Sequence, residues 1–234
     1  MNYFYGPVAL ATLKKTAIEN PQSADAQMKY CKTLTQFTYA FIHQEAEFIC
    51  EEDLEKCRMM MRRARDNYLE ALDYGHKALE IDGESQESLY YTAVAVGLYI
   101  GVSKNDFRAI GKMDEVGSLA YHALAIDSTW NDGAIYELLC NYEASRTSII
   151  RGSLEQAEAH YEKALCLSGG KRASVFVTKA ESICVQKQNR KEFENLLKAA
   201  LSVPAPKNSA NRLADKISKK RARWLLSRVN ELFF

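Results

Sequence analysis

The sequence predicts an all-α fold of stacked helix pairs, and three observations predict it. A stripe of Ala157, Tyr161 and Ala164 at helical spacing, within SLEQAEAHYEKALCLS at 153–168, recurs in three weaker copies. These are Ala71, Gly75, Ala78, Leu79; then Val116, Ala120, Ala123, Leu124; then Phe193, Leu197, Ala200, Leu201. Each copy closes on an Ala-Leu pair, and the pairs begin at 78, 123, 164 and 200, spacings of 45, 41 and 36 residues that bracket helix-hairpin repeats. The four prolines lie at 7, 21, 204 and 206, so the span between Pro21 and Pro204 lacks that helix breaker.

The stripe has a packing logic. Alanines let two helices approach closely while the tyrosine ring fills the gap beside them. The pattern resembles a degenerate tetratricopeptide repeat of about four units, and three or more such units bury a core of their own. A chain of 234 residues, 47% of them apolar, is long enough for one sizeable core. The expected organisation is therefore a single domain over 1–234: N-terminal helices in 1–63, a repeat core over 64–204 and a C-terminal capping helix in 205–234.

In chain order, Gly6-Pro7 opens a helix that puts Val8, Leu10, Leu13, Ala17 and Ile18 largely on one face, and Asn20-Pro21 ends it. A long helical pattern follows over 24–52, with aromatics at 30, 37, 39, 41 and 48. An acidic block (Glu45, Glu47, Glu51, Glu52, Asp53, Glu55) gives way to a basic one (Arg58, Arg62, Arg63, Arg65), which reads as a solvated face. Met59, Met60 and Met61 read as gap fillers. The most apolar helix spans 89–102, where Tyr90, Tyr91 and Tyr99 flank Ala93, Ala95, Gly97 and Gly101. The segment SKNDFRAIGKMD at 103–114 is too long for a tight repeat turn, and such inserts emerge on one face of a solenoid, often the functional one. Turn chemistry at 128–133 precedes a helix over 134–145; residues 147–152 interrupt the third hairpin; Gly169 and Gly170 stop the next helix in left-handed backbone. Helices over 173–185 and 190–203 complete the fourth pair. The capping helix joins an apolar stripe, Leu213, Ile217, Trp224 and Leu225, to a polar exterior.

Several classes of function are disfavoured. A net charge of +1 provides no global field for nucleic acid or an anionic membrane, and the C-terminal cluster of Lys219, Lys220, Arg221, Arg223 and Arg228 lacks interleaved stacking aromatics. The uncharged run 89–103 is too short to span a bilayer. An apolar start followed by Lys14-Lys15 inverts the order of a secretory signal, so the sequence as it stands carries no export address. Of the six cysteines, at 31, 50, 57, 140, 166 and 184, Cys50 and Cys57 would stand roughly 10 Å apart on a continuous helix, too far to bridge, and the set reads as buried small hydrophobes. The histidines at 43, 76, 122 and 160 make no zinc-type pair, and there is no phosphate-cradling loop, nucleophile elbow or dinucleotide fingerprint. No enzyme activity, cofactor or metal is expected.

Beyond periodicity, the stretches DSTWNDGA (127–134), NYEASR (141–146), GSLEQA (152–157), SGGKRAS (168–174), NRKEF (189–193), RARWLL (221–226) and ELF (231–233) follow one another in an order that resembles the T-component family of tetratricopeptide-associated TRAP transporters. The resemblance covers most of the chain and is densest over 101–233. It implies a non-enzymatic helical-repeat lipoprotein of the periplasm, assembled as a homotrimer around a pore-like or concave cavity. It further implies that the protein engages the solute-binding P-component and holds or conducts a small apolar ligand. The sequence departs from the family at its N-terminus, where it shows neither signal peptide nor acylated cysteine, so membrane attachment would rest on a lipid tether absent here.

First helices of such repeats line the concave surface, which makes Tyr91, Tyr99, Tyr136, Tyr142 and Phe176 the candidate ligand contacts, with Trp130 at the rim. Each ring also suits an ordinary core position. An apolar pocket with a few tyrosine hydroxyls fits an amphipathic ligand. The alternative is a cytosolic adaptor that grips a peptide in its concave groove, which needs Lys, Arg or Asn on first helices that here are poor in them.

Overall fold

A computed structural model describes residues 6–146, 153–206 and 211–234, and they are helical with no strand among them. The chain divides into two compact units, residues 1–127 and 128–234.

In the first unit, α1 (Pro7–Glu19) has its proline in the first turn, where no intrahelical donor is lost, and ends at Asn20, whose backbone and side-chain amides both return to Thr16 O. Its expected apolar face is only partly used. Ala17 is buried, whereas Val8 is 81% and Ile18 62% exposed. Polar bonds hold the contact with α2 (Ala24–Thr38): Gln27 Nε2 donates to Ala17 O at 2.8 Å and to Asn20 O at 3.1 Å.

Ser23 caps α2 by accepting from Ala26 N; a π-helical turn (Tyr39–His43) then leads into α3 (Gln44–Ile49). The chain next turns at residues 50–53, and Asp53 accepts from Lys56 N to open α4 (Leu54–Ile81). That turn corrects the expectation for Cys50 and Cys57. Because the helix is not continuous, their Cα atoms stand 5.0 Å apart and the two form a disulfide. Closing so short a loop removes about 2 kcal/mol of unfolded-chain entropy. Cys50→Ser with Cys57→Ser is expected to lower stability by about that amount, read from circular-dichroism urea melts; equal midpoints for wild type with and without reductant would refute it.

Ser85 caps α5 (Gln86–Val102), and the insert contains one short helix, α6 (Phe107–Ile110), before α7 (Met113–Ile126). In α4 the stripe residues Ala71, Gly75 and Ala78 are buried, and α4 packs on both α2 and α5. In α7, Val116, Ala120 and Ala123 are buried, and α7 packs on α5. Gly75 marks the tightest approach: a Cβ there would lie 2.5 Å from Thr92 Oγ1 and 3.2 Å from Cys31 Sγ.

The second unit opens with α8 (Trp130–Arg146), whose first residues are not regular helix. Asn131, Asp132 and Gly133 have φ of 48°, 53° and 84°, so ordinary turns begin at Ala134. The partner of α8 is α9 (Leu154–Ser168), capped by Ser153 and stopped by left-handed Gly169 and Gly170. The interruption expected at 147–152 lies outside the described residues. Next come α10 (Ala173–Lys179) with a π-helical turn (Ala180–Cys184), and α11 (Arg190–Ser202) packed against α10. Here too the stripes are buried: Ala157, Tyr161 and Ala164 in α9, and Phe193, Leu197 and Ala200 in α11.

The C-terminal cap expected in 205–234 is two helices, α12 (Arg212–Ser227) and α13 (Val229–Leu232), and residues 207–210 of that stretch lie outside the described residues. Of the expected stripe, Leu225 is buried while Leu213, Ile217 and Trp224 are half-buried. Asp215 reaches back to accept from Ala173 N at 3.0 Å, so α12 supplies the cap that the start of α10 lacks. The basic cluster is largely engaged internally: Arg221 is buried against Glu181, Lys219 donates to Val203 O and Arg228 pairs with Glu231. Cations tied down in this way are poorly placed to grip a phosphate backbone.

Candidate functional site

A cavity in the first unit has a volume of about 520 Å³ and is open to solvent. Its walls come from three places distant in sequence. The π-helical turn and α3 provide His43 and Glu47; α4 provides Met61, Arg62 and Arg65; the end of α5 and the start of the insert provide residues 101–106.

Local chemistry fixes each wall. The π-helical turn shifts the phase of the helix, and His43 at its end is buried with Nδ1 3.1 Å from Tyr68 Oη and Nε2 3.9 Å from Glu47. Burial above all, and then the neighbouring Tyr39 and Glu47, hold the Tyr68 hydroxyl well above its usual range. A permanently protonated Tyr68 donates to Nδ1 when the imidazole carries its proton on Nε2, towards Glu47. Tyr68 itself belongs to a packed cluster with Ile42, Ala64, Tyr99 and Ala109, which fixes the floor behind the cavity.

The insert is pinned by its aspartate. Asp106 Oδ2 accepts from Arg65 Nη2 at 3.2 Å, while Oδ1 accepts from Arg108 N and caps α6. This carboxylate is spent. Arg62 and Lys104, by contrast, have no acidic partner among the described residues. Ser103 is 6% exposed, and its hydroxyl is buried without a hydrogen-bond partner among the described residues. The lining cations Arg62, Arg65 and Lys104 outnumber the lining carboxylates Glu47 and Asp106, so the cavity is locally basic in a chain of net charge +1.

The aromatic residues expected to line a ligand site fall elsewhere. Tyr91 and Tyr99 are buried in the first unit; Lys32 Nζ lies 4.8 Å from the centre of the Tyr91 ring, and Gln36 Nε2 donates to the Tyr91 hydroxyl at 3.4 Å. In the second unit Tyr142 is buried beneath Arg146, Tyr136 is half-buried and tilted on His160, and Phe176 is half-buried against the C-terminal core. Trp130 is half-buried at the irregular start of α8. None of the six lines the 520 Å³ cavity.

Sequence reasoning singled out the insert but not the residues across from it. The signal present was the excess of basic residues on α4; what hid the site was that only folding brings Arg65 to Asp106, 41 residues away. Among the described residues, no group of three His, Cys, Asp or Glu is placed to hold a metal, and no helix is long and apolar enough to cross a membrane. Burial pushes the thiols of Cys31, Cys140 and Cys184 up to about 12, which leaves them as small hydrophobes, as expected; Cys166 is exposed.

Two comparisons bear on this architecture. A family model described as TRAP transporter T-component matches residues 5–88 and 81–233. An uncharacterized protein of Treponema pallidum (strain Nichols) is 22% identical over 252 residues, an alignment covering 97% of this chain and 78% of that protein.

Proposed function

Because the chain belongs to the TRAP transporter T-component family and is thereby a component of a TRAP-type transport system, we propose that it acts in the periplasm as a helical-repeat partner of the solute-binding P-component. Four helix pairs support the tetratricopeptide-like reading: α2 with α4, α5 with α7, α8 with α9, and α10 with α11. In each, the second helix carries the buried stripe. The Cys50–Cys57 disulfide supports residence in an oxidising compartment over the cytosolic adaptor.

The observation that carries the docking role is the insert. Phe107 is 89% exposed at the first position of α6, on a segment held rigid by the Asp106 cap and the Arg65–Asp106 pair. An exposed aromatic on a fixed support is the kind of residue that dominates protein–protein affinity. Within this reading the protein assembles as a homotrimer, and of the six candidate rings the half-buried Trp130, Tyr136 and Phe176 keep surface to meet a small apolar ligand, whereas Tyr91, Tyr99 and Tyr142 are buried.

The test is the mass of the purified protein in solution, alone and with the solute-binding protein encoded beside it. A trimer that gains mass on mixing, with Phe107→Ser weakening that association by about tenfold or more, is expected. A monomer that ignores the partner would overturn the reading in favour of an adaptor.

A further inference from the structure

The net charge of +1 conceals a division. Residues 128–234 hold 18 Lys and Arg against 11 Asp and Glu, a net +7, while residues 1–127 hold 13 against 19, a net −6. The basic excess is concentrated at the end of the second unit, and we infer that the outer face of α12 is a contact surface for an anionic phospholipid bilayer.

Helix geometry builds that face. Lys216, Lys220 and Arg223 recur at intervals of four and three residues, so they fall on one side of α12, and each is exposed. They span about 10 Å of the helix axis. The opposite side carries Ala222 and Leu225, buried in the C-terminal core. Half-buried Trp224 stands at the edge of the face, its ring stacked by Arg221 at 4.5 Å and by Arg228 at 4.9 Å. An indole in such a place suits the headgroup level of a bilayer.

The carboxylates around α12 are committed elsewhere. α12 packs on α10 and α11, and residues 173–234 contain five acids. Glu181 pairs with Arg221, Glu192 with Lys179, Glu194 with Arg190 and Lys198, and Glu231 with Arg228, while Asp215 accepts from Ala173 N. Lys216 and Arg223 have no acidic partner among the described residues. A row of cations without counter-charges attracts an anionic surface, and the convex side of a helix meets a plane of phosphates with all three side chains at once. A nucleic acid strand would call for stacking aromatics between the cations, and this face has none. Membership of a transport system sets the chain to work at a bilayer.

Cosedimentation of the full chain with phosphatidylglycerol-containing vesicles and with pure phosphatidylcholine vesicles tests the inference. Binding is expected to the first alone, weakening as salt is raised. Each cation beside an anionic surface is worth about fivefold in partitioning, so Lys216→Gln, Lys220→Gln and Arg223→Gln together should weaken binding by about a hundredfold. Lys163→Gln, Lys171→Gln and Lys191→Gln remove the same charge from exposed positions elsewhere in the unit and should leave binding within a few-fold. Both sets change exposed side chains and are expected to leave the circular-dichroism melt intact. No binding to either vesicle, equal binding to both, equal loss in the two triple variants, or tighter retention by duplex DNA than by the anionic vesicles would each overturn the assignment. Phe107→Ser is expected to leave vesicle binding unchanged, so a failure of P-component association with vesicle binding intact would sink the docking role alone.

Discussion

Phe193→Ala is expected to destabilise the second unit by about 4 kcal/mol. Phe193 is fully buried on α11, and its ring meets Phe233 edge to face at a centroid distance of 4.9 Å. That pair ties the end of the chain onto the fourth helix pair, within a core that also contains Leu197, Ala222 and Leu225. Truncation removes the apolar area of the ring and leaves a cavity whose lining cannot collapse, since helices on either side hold it open. Phe193→Leu keeps most of the volume and should cost less than about 1.5 kcal/mol. The readout is specific: both tryptophans of the chain, Trp130 and Trp224, lie in this unit, so tryptophan fluorescence in a urea melt follows it without the first. A cost below about 1 kcal/mol for Phe193→Ala would mean the terminal helices contribute little to the fold.

The second large effect is expected at Gly133, where alanine should cost about 3 kcal/mol. Two penalties coincide. The backbone is left-handed at φ 84°, a conformation that costs a Cβ-bearing residue about 1–2 kcal/mol. The added Cβ would stand 3.0 Å from Leu167 Cβ and 3.2 Å from Ala164 Cα, and the latter is backbone that cannot swing away, so overpacking adds about 1–3 kcal/mol. Asn131 and Asp132 share the positive φ, but short polar side chains tolerate it. Across the same seam Ala164→Leu should cost about 1–3 kcal/mol, and because the two sites touch, the double variant should fall short of the sum. Additive costs in the fluorescence melt would show that α8 and α9 do not meet there.

What the sequence revealed and what it concealed divide along the range of the interactions. The buried stripes of α4, α7, α9 and α11 were legible because a helical face depends only on residues three and four apart. The glycine stop after α9 and the presence of a turn before Ala134 were legible for the same local reason. The disulfide was not, because it depends on the chain turning at residues 50–53; Asp53, three residues before the amide it caps, was the signal available for that break. Val8 and Ile18 misled because periodicity tells which face is apolar but not whether a neighbour covers it. The cavity was hidden most deeply, since Arg62 was read as part of a solvated face and Lys104 only as part of the insert, and the fold alone brings them together beside Ser103. Of the C-terminal cations, Arg221, Lys219 and Arg228 are engaged by Glu181, Val203 and Glu231, while Lys220 and Arg223 are exposed.

The π-helical turn at Tyr39–His43 has an evolutionary corollary. A π turn accommodates one residue more than the α turn it replaces, so its natural history is an insertion, and its natural reversal a deletion. Losing a single residue there would leave a regular helix and rotate everything after it, up to the end of α3, by about 100°. That one event would swing His43 off Tyr68, withdraw Glu47 from the cavity and carry Cys50 away from Cys57. Lineages of this fold should therefore tolerate length changes in their loops far more readily than at this turn, where the cavity wall and the disulfide would be inherited or lost as one character.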